Sequence, residues 1–328
     1  MDLFLATVAI IAGLAVLVYS ADRFVLGASG TARCLGMSPF FIGMVIVGFG
    51  TSAPEMIVSA VSAYQGNPGI AIGNAYGSNI ANIALILGVT ALIIPIKVKA
   101  SVIFRELPLL IAVTLLSAVL LWDLEISRTD AWILLAVFAG IMFWSFKSSG
   151  KDEQQEEIPD SSSLSLGGSI AWLIAGLLLM MGSSRALVWG AVEIATMLEV
   201  PDVIIGLTVV AVGTSLPELA SSIVAARKGQ DDLAIGNIVG SNMFNTMMVV
   251  GIAAAIKTID LDRIVLYRDF LLMLVLTVAL VPMGYRYRKN VRYGTIGRIC
   301  GAVLLSVYAA YTVFLILTAL KIIPPLPV

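Results

Sequence analysis

Two carboxylates, Glu55 and Glu218, lie inside strongly apolar stretches and share one local sequence. Gly50-Thr51-Ser52-Ala53-Pro54-Glu55 recurs 163 positions later as Gly213-Thr214-Ser215-Leu216-Pro217-Glu218. A charged side chain near mid-membrane costs about 3 kcal/mol even on lenient insertion scales, so one that is retained marks an ion pathway by default. Neither acid has a Lys or Arg within one helical turn of sequence, which weighs against the plainer reading of a paired or snorkelling carboxylate. Pro54 and Pro217 add a second kind of oxygen. Proline has no N–H, so the carbonyl four residues earlier, Gly50 or Gly213, loses its helical donor. In lipid such a carbonyl must find another partner, and a cation is a good one. A kink that serves only packing is the competing reading of the prolines.

A second motif follows each acid. Ile72-Gly73-Asn74 returns as Ile235-Gly236-Asn237, Gly77-Ser78-Asn79 as Gly240-Ser241-Asn242, and Asn82 as Asn245. Thr51 and Glu55 are four residues apart, as are Ser78 and Asn82, so each pair shares a helix face, and the second copy repeats this with Thr214/Glu218 and Ser241/Asn245. Pooled, the two copies offer two carboxylates, hydroxyls, amides and freed carbonyls. All are hard oxygen donors, suited to Na⁺ and Ca²⁺. Asn74 and Asn237 are expected to tie the broken helices together by hydrogen bonds, with Ser52 and Ser215 in the same supporting role. The glycines of the second motif read first as small residues for close helix packing.

These residues need a frame. Aligning 43–82 with 206–245 without a gap gives 19 identities in 40 positions. With about 20 apolar residues needed to cross the hydrocarbon core as helix, ten spans are predicted near 3–23, 37–63, 71–95, 104–122, 129–147, 168–196, 203–226, 233–256, 267–285 and 297–320. The hydrophilic run Lys151–Ser163 separates the fifth from the sixth. Five spans per half is odd, so the second half must enter the membrane upside down relative to the first. Paired acidic segments interrupted by Gly and Pro in an inverted duplication point to a transporter's ion site at the repeat interface. The predicted fold is therefore an all-α polytopic membrane protein of ten transmembrane helices in two inverted five-helix repeats. The first repeat is 1–147 (motif 43–91), the linker 148–167 and the second repeat 168–328 (motif 206–254). Of 20 Lys and Arg, 14 fall in the loops after spans 1, 3, 5, 7 and 9, and five on the other side. The positive-inside rule then puts both termini outside the cell membrane and the linker in the cytoplasm.

Composition excludes other classes. The chain is 59% hydrophobic and 12% charged, about half the charge of a soluble domain. Its net charge of −1 offers no basic face for nucleic acid. There is no histidine, the commonest proton shuttle and transition-metal ligand, and Cys34 and Cys300 stand apart without metal-ligand spacing. No Ser/His, Asp/Asp or His/Glu arrangement supports an intramembrane enzyme. Paired buried acids in inverted repeats fit alternating access better than a channel. Arg105-Glu106 and Arg268-Asp269 also match at the 163 offset and read as interface anchors, while Asp22, Arg185 and Glu193 receive no role.

The motifs GTSAPE…GNAYGSNIAN and GTSLPE…GNIVGSNMFN resemble those of the cation/Ca²⁺ exchanger superfamily, and within it the prokaryotic Na⁺/Ca²⁺ exchangers. The resemblance covers the whole chain. It implies metal ligands at Thr51, Glu55, Ser78 and Asn82, then at Thr214, Glu218, Ser241 and Asn245, with backbone carbonyls at Gly48 and Ala211. It also implies antiport of three Na⁺ for one Ca²⁺, both bound as substrates, with no cofactor and no obligate protein partner besides the lipid bilayer. Some relatives, and the K⁺-dependent branch, carry Asp where this chain has Asn245. Two neutral amides here resemble the K⁺-independent pattern. The alternative on the same scaffold is a Ca²⁺/H⁺ antiporter, with Glu55 and Glu218 carrying protons. The linker is too short for the Ca²⁺-sensing domains of animal exchangers. Spans 1 and 6, which hold no site residues, are expected to slide across the other eight.

Overall fold

A computed structural model describes residues 3–148, 164–285 and 293–324. Among them eight helices are long and apolar enough to cross a membrane, and two bent helix pairs complete a set of ten spans. In order these are Leu3–Leu35, Pro39–Thr51 with Ala53–Tyr64, Pro68–Ile93, Val102–Leu120, Arg128–Lys147, Leu166–Met197, Gly206–Thr214 with Leu216–Arg227, Asp231–Ile256, Val265–Gly284 and Arg298–Ala319. The chain is thus a polytopic helical membrane protein. Most of the proposed linker, together with Arg286, Arg288, Lys289 and Arg292, lies outside the described residues.

Local chemistry sets several of these boundaries. Span 2 starts at Pro39, whose missing N–H costs nothing in a first turn, and the Ser38 hydroxyl caps it by accepting from the Phe41 N–H at 3.2 Å. Ser165 caps span 6 in the same way through the Gly168 N–H. Pro54 and Pro217 each sit at the second residue of a new helix, so spans 2 and 7 break there and bend by 44° and 50°. The break that proline imposes is what exposes main-chain polar groups in mid-membrane.

One sequence expectation needs correction. Span 1 was placed at 3–23 with Arg23 and Arg33 in the following loop, but one helix runs to Leu35 and contains both. The polar pair Asp22-Arg23 does not end it, because each side chain is partnered. Asp22 bonds Lys228 Nζ at 2.6 Å, and the Arg23 guanidinium lies about 5 Å over the rings of Tyr19 and Trp172. At 33 residues this helix is about 50 Å long, so it must tilt or protrude from a core about 30 Å thick. The all-α reading of the spans holds, and two short antiparallel ribbons lie outside them. Strand β1 (Ile96–Lys99) pairs antiparallel with β4 (Tyr293–Ile296), and β2 (Glu125–Ile126) with β3 (Ile259–Asp260). These ribbons bridge inter-span loops.

The duplication is visible as paired contacts. Spans 1 and 6 cross through glycines: Gly13 lies against Ser183 and Leu187, and Gly176 against Phe24. Gly27 lies against Ser169 and Leu173, and Gly190 against Ala6 and Ile10. Every member of the second contact of each pair is the first shifted by 163, with the partners exchanged. The crossing is therefore two-fold symmetric within itself, as an inverted repeat requires.

Candidate functional site: an oxygen-lined centre at the two helix breaks

The centre lies where the breaks of spans 2 and 7 meet spans 3 and 8. Pro54 and Pro217 start the helices that carry Glu55 and Glu218, both 2% exposed. Thr51 and Ser52 of the first repeat neighbour the Glu218 carboxyl across the repeat interface, and Glu55 is close enough to interact with it electrostatically. Ser78, Asn82, Ser241 and Asn245 are all buried. Asn82 and Asn245 fall in π-helical turns, 81–87 and 244–249, a form of widened helix that recurs at functional sites. Further π-helical turns, 43–47 and 206–210, lead into the breaks.

The polar inventory of this centre is unbalanced. Glu55 Oε2, Glu218 Oε2, Asn82 Nδ2, Asn245 Oδ1, Ser215 Oγ and Ser241 Oγ are buried without a hydrogen-bond partner among the described residues. Buried polar atoms are normally paired, and leaving one unpaired costs about 1–3 kcal/mol. Five of the six are oxygens, the kind of atom a cation satisfies, and the sixth, Asn82 Nδ2, is an amide donor. No ion pair among the described residues involves either glutamate. The donor set, carboxylate, hydroxyl, amide and carbonyl oxygen, suits a hard cation. Among the described residues no group of three or more His, Cys, Asp or Glu could hold a metal ion.

Asn74 and Asn237 each reach the helix that follows the break of their own repeat. Asn74 Nδ2 donates to the Glu55 carbonyl at 3.2 Å and the Ser59 hydroxyl at 3.0 Å. Asn237 Nδ2 donates to the Glu218 carbonyl at 3.4 Å and the Ser222 hydroxyl at 3.0 Å. Each amide thus braces the helix that carries the acid of its own repeat. Ser59 and Ser222 were missed as bracing partners, although they too repeat at the 163 offset, one turn beyond each acid. Asn79, likewise unassigned from sequence, donates to Thr246 Oγ1 at 2.8 Å and joins span 3 to span 8. Its counterpart Asn242 has no partner among the described residues, and the residue matching Thr246 is Ile83.

The symmetry breaks at the arms that lead to the site. The Thr51 hydroxyl is buried and donates to the Val47 carbonyl at 3.1 Å or to Asn237 Oδ1 at 3.2 Å. Thr214 is only half-buried and turns to the Ala211 carbonyl at 3.1 Å. Gly48 is buried, its carbonyl accepting the Ser52 N–H at 3.0 Å, whereas Ala211 is exposed and the matching Ser215 N–H goes to Val212. Val47 is 1% exposed and its counterpart Val210 is 40%. On span 8 the glycines are tight packing residues. A Cβ on Gly240 would collide with the Met44 carbonyl, and one on Gly236 with that of Phe40. On span 3, Gly73 and Gly77 face no atom within 4 Å. One arm is zipped against its neighbour, and the other stands open.

Known proteins share this sequence pattern and this fold. A sequence model of the family described as sodium/calcium exchanger protein matches residues 5–147 and 168–317. CaxA of Alkalimonas amylolytica, a candidate antiporter, is similar at 44% identity, over 93% of this chain and 97% of its own. The sodium/calcium exchanger MaX1 of Methanosarcina acetivorans is 30% identical over 92% of this chain and 96% of its own. The sodium-calcium exchanger NCX_Mj, in a structure soaked with 10 mM Na⁺ and zero Ca²⁺, superposes with a TM-score of 0.81 at 31% identity, covering 94% of this chain and 98% of that one. Such a fold, ten membrane helices in two repeats, is that of a transporter and not of an enzyme. With the paired acids at paired helix breaks, these likenesses make the chain a member of the sodium/calcium exchanger family of cation antiporters.

Proposed function

We propose that this protein is a secondary active antiporter exchanging Na⁺ for Ca²⁺ by alternating access, electrogenic and independent of K⁺. The observation that carries the reading is the pair of carboxylates, one from each repeat, meeting at two helix breaks among unpartnered oxygens. Glu55 and Glu218 serve as shared anionic ligands, with Thr51, Ser78 and Asn82 from one repeat and Thr214, Ser241 and Asn245 from the other. Gly48 and Ala211 supply carbonyls, and Ser52, Ser215, Asn74 and Asn237 hold the breaks in shape. Two formal charges neutralise one Ca²⁺. Three Na⁺ would leave one positive charge in excess, so moving them inward against one Ca²⁺ carries net charge, worth about 2.3 kcal/mol per 100 mV.

The domain division follows the notion of two repeats, 1–147 and 168–328, joined by the linker 148–167. The loop charges favour an orientation in the plasma membrane with both termini outside and the linker in the cytoplasm. Moving Arg23 and Arg33 into span 1 removes two charges from the 14 and leaves the bias intact, at 12 against five. In that orientation the exposed arm 206–214 lies in the outer half of the membrane, so this conformation admits ions from outside. Spans 1 and 6 form the sliding unit. Their own crossing is symmetric, yet they meet the other eight spans unequally: Gly50 lies beside Leu177, whereas Gly213 lies beside Val188. The repeat counterpart of Leu177 is Leu14 and that of Val188 is Val25, so exchanging the two environments amounts to a displacement of the pair along the breaks.

Coupling is tested with purified protein in liposomes loaded with Na⁺ and diluted into Na⁺-free buffer containing ⁴⁵Ca²⁺. Uptake that requires the Na⁺ gradient and is accelerated by an inside-positive potential is the expected result. Uptake that ignores Na⁺ and follows an imposed pH gradient would replace this reading with Ca²⁺/H⁺ exchange, in which the same two glutamates carry protons.

A further inference from the structure

Pro217 deprives the Gly213 carbonyl of its helical donor, and that carbonyl lies beside Thr214 at the ion centre. It does not stay bare. Ser184 of span 6, only 6% exposed, donates its hydroxyl to it at 2.7 Å. Ser183 and Ser20, which match at the 163 offset, instead bond carbonyls of their own helices, Met180 and Leu17. The residue matching Ser184 is Ala21, which has nothing to donate to the Gly50 carbonyl. A bond between the sliding unit and the ion-binding segment is therefore available in one arrangement and absent from its symmetry-related opposite.

We propose that Ser184 is a positioning residue for ion exchange: it ties span 6 to the break in span 7 while the arm 206–214 is open, and releases it when the unit slides. The proposal rests on the alternating-access reading above but not on the identity of the coupling ion. A second contact works in the same sense. Lys228, at the far end of span 7, holds Asp22 of span 1, and their counterparts Gln65 and Arg185 carry no such opposite charges. The repeats are thus unequal in polar contacts that favour the present conformation. One hydrogen bond of ordinary net strength changes the ratio of two states by about five-fold.

The test uses full-length protein in detergent with Cys34 and Cys300 replaced by Ser, and a single reporter cysteine at Val210 or at Val47. These are repeat counterparts, 40% and 1% exposed here, so N-ethylmaleimide reports the open arm at one and its opposite at the other. Ser184→Ala is expected to slow labelling at position 210 and hasten it at 47, changing the ratio of rates about five-fold, with Ser184→Thr restoring it. Ala21→Ser, which supplies the missing donor to the opposite arrangement, should shift the ratio the same way as Ser184→Ala. Unchanged rates at both reporters in Ser184→Ala, or rates that rise together as in a general loosening, would overturn the proposal. Failure of Na⁺ coupling would appear only in the flux assay and would leave these labelling ratios as they are.

Discussion

At the residue scale, the centre is built from groups that do not satisfy one another in this conformation. The Glu55 and Glu218 backbone carbonyls accept from Asn74 and Asn237, and one carboxylate oxygen of each acid has no partner among the described residues. The two amides are not equally engaged. Asn237 is 1% exposed and also accepts from Thr51 across the repeats, whereas Asn74 is half-buried and braces its own repeat alone. Asn237→Ala is expected to lower Ca²⁺ flux about ten-fold or more, within the range seen when supporting partners of metal ligands are lost, and Asn74→Ala by clearly less. Equal losses measured in a ⁴⁵Ca²⁺ flux assay would show that the cross-repeat bond to Thr51 has no bearing on transport. Most of this centre was legible in the sequence, because duplicated residues at one fixed offset reveal which side chains do the same job twice. Ser184 was illegible for the same reason: its counterpart is Ala21, so no repeat flagged it. Its role depends on a contact between residues 29 positions apart that only packing creates.

At the element scale, the ten spans followed from hydropathy and proline, but their ends did not. Asp22 and Arg23 read as a helix end until Lys228 and two aromatic rings supply partners, and these lie on spans 7 and 6 or one turn away. The short ribbons β1–β4 and β2–β3 were equally hidden, since they pair segments far apart in sequence. The state of the arms was beyond any sequence reading. A symmetric pair of motifs permits either arm to be the closed one, and only coordinates show Gly240 against Met44 while Gly77 faces open space. This gives a paired prediction. Gly240→Ala forces a Cβ into the Met44 carbonyl, so it should lower the thermal unfolding midpoint measured in detergent. Gly77→Ala meets nothing in this conformation and, by removing a helical glycine, should leave the midpoint unchanged or raise it by the equivalent of about 0.5–1 kcal/mol. Yet if the arms exchange roles during transport, Gly77→Ala should stop turnover as effectively as Gly240→Ala. A Gly77→Ala protein that transports normally would mean that the arm 206–214 never zips onto span 3.

At the scale of the whole molecule, two units that are each symmetric meet asymmetrically. The crossing of spans 1 and 6 repeats itself under the 163 offset, as do the braces at Asn74 and Asn237, while the contacts between the sliding pair and the breaks do not. That combination is what a rigid-body exchange between two equivalent arrangements leaves in a single conformation. In the exchange proposed above, one centre shared by both repeats comes under alternate control of two arms. The most direct test of this account is ⁴⁵Ca²⁺ uptake driven by a Na⁺ gradient in liposomes containing the parent protein, Glu55→Gln or Glu218→Gln. Gln keeps the shape and removes the charge, and Ca²⁺ affinity follows the count of charged ligands. The account predicts that each substitution alone lowers uptake about a hundred-fold or more, because both acids serve a single centre. Substantial uptake surviving in either variant would contradict it, showing that the two repeats do not share one ion site.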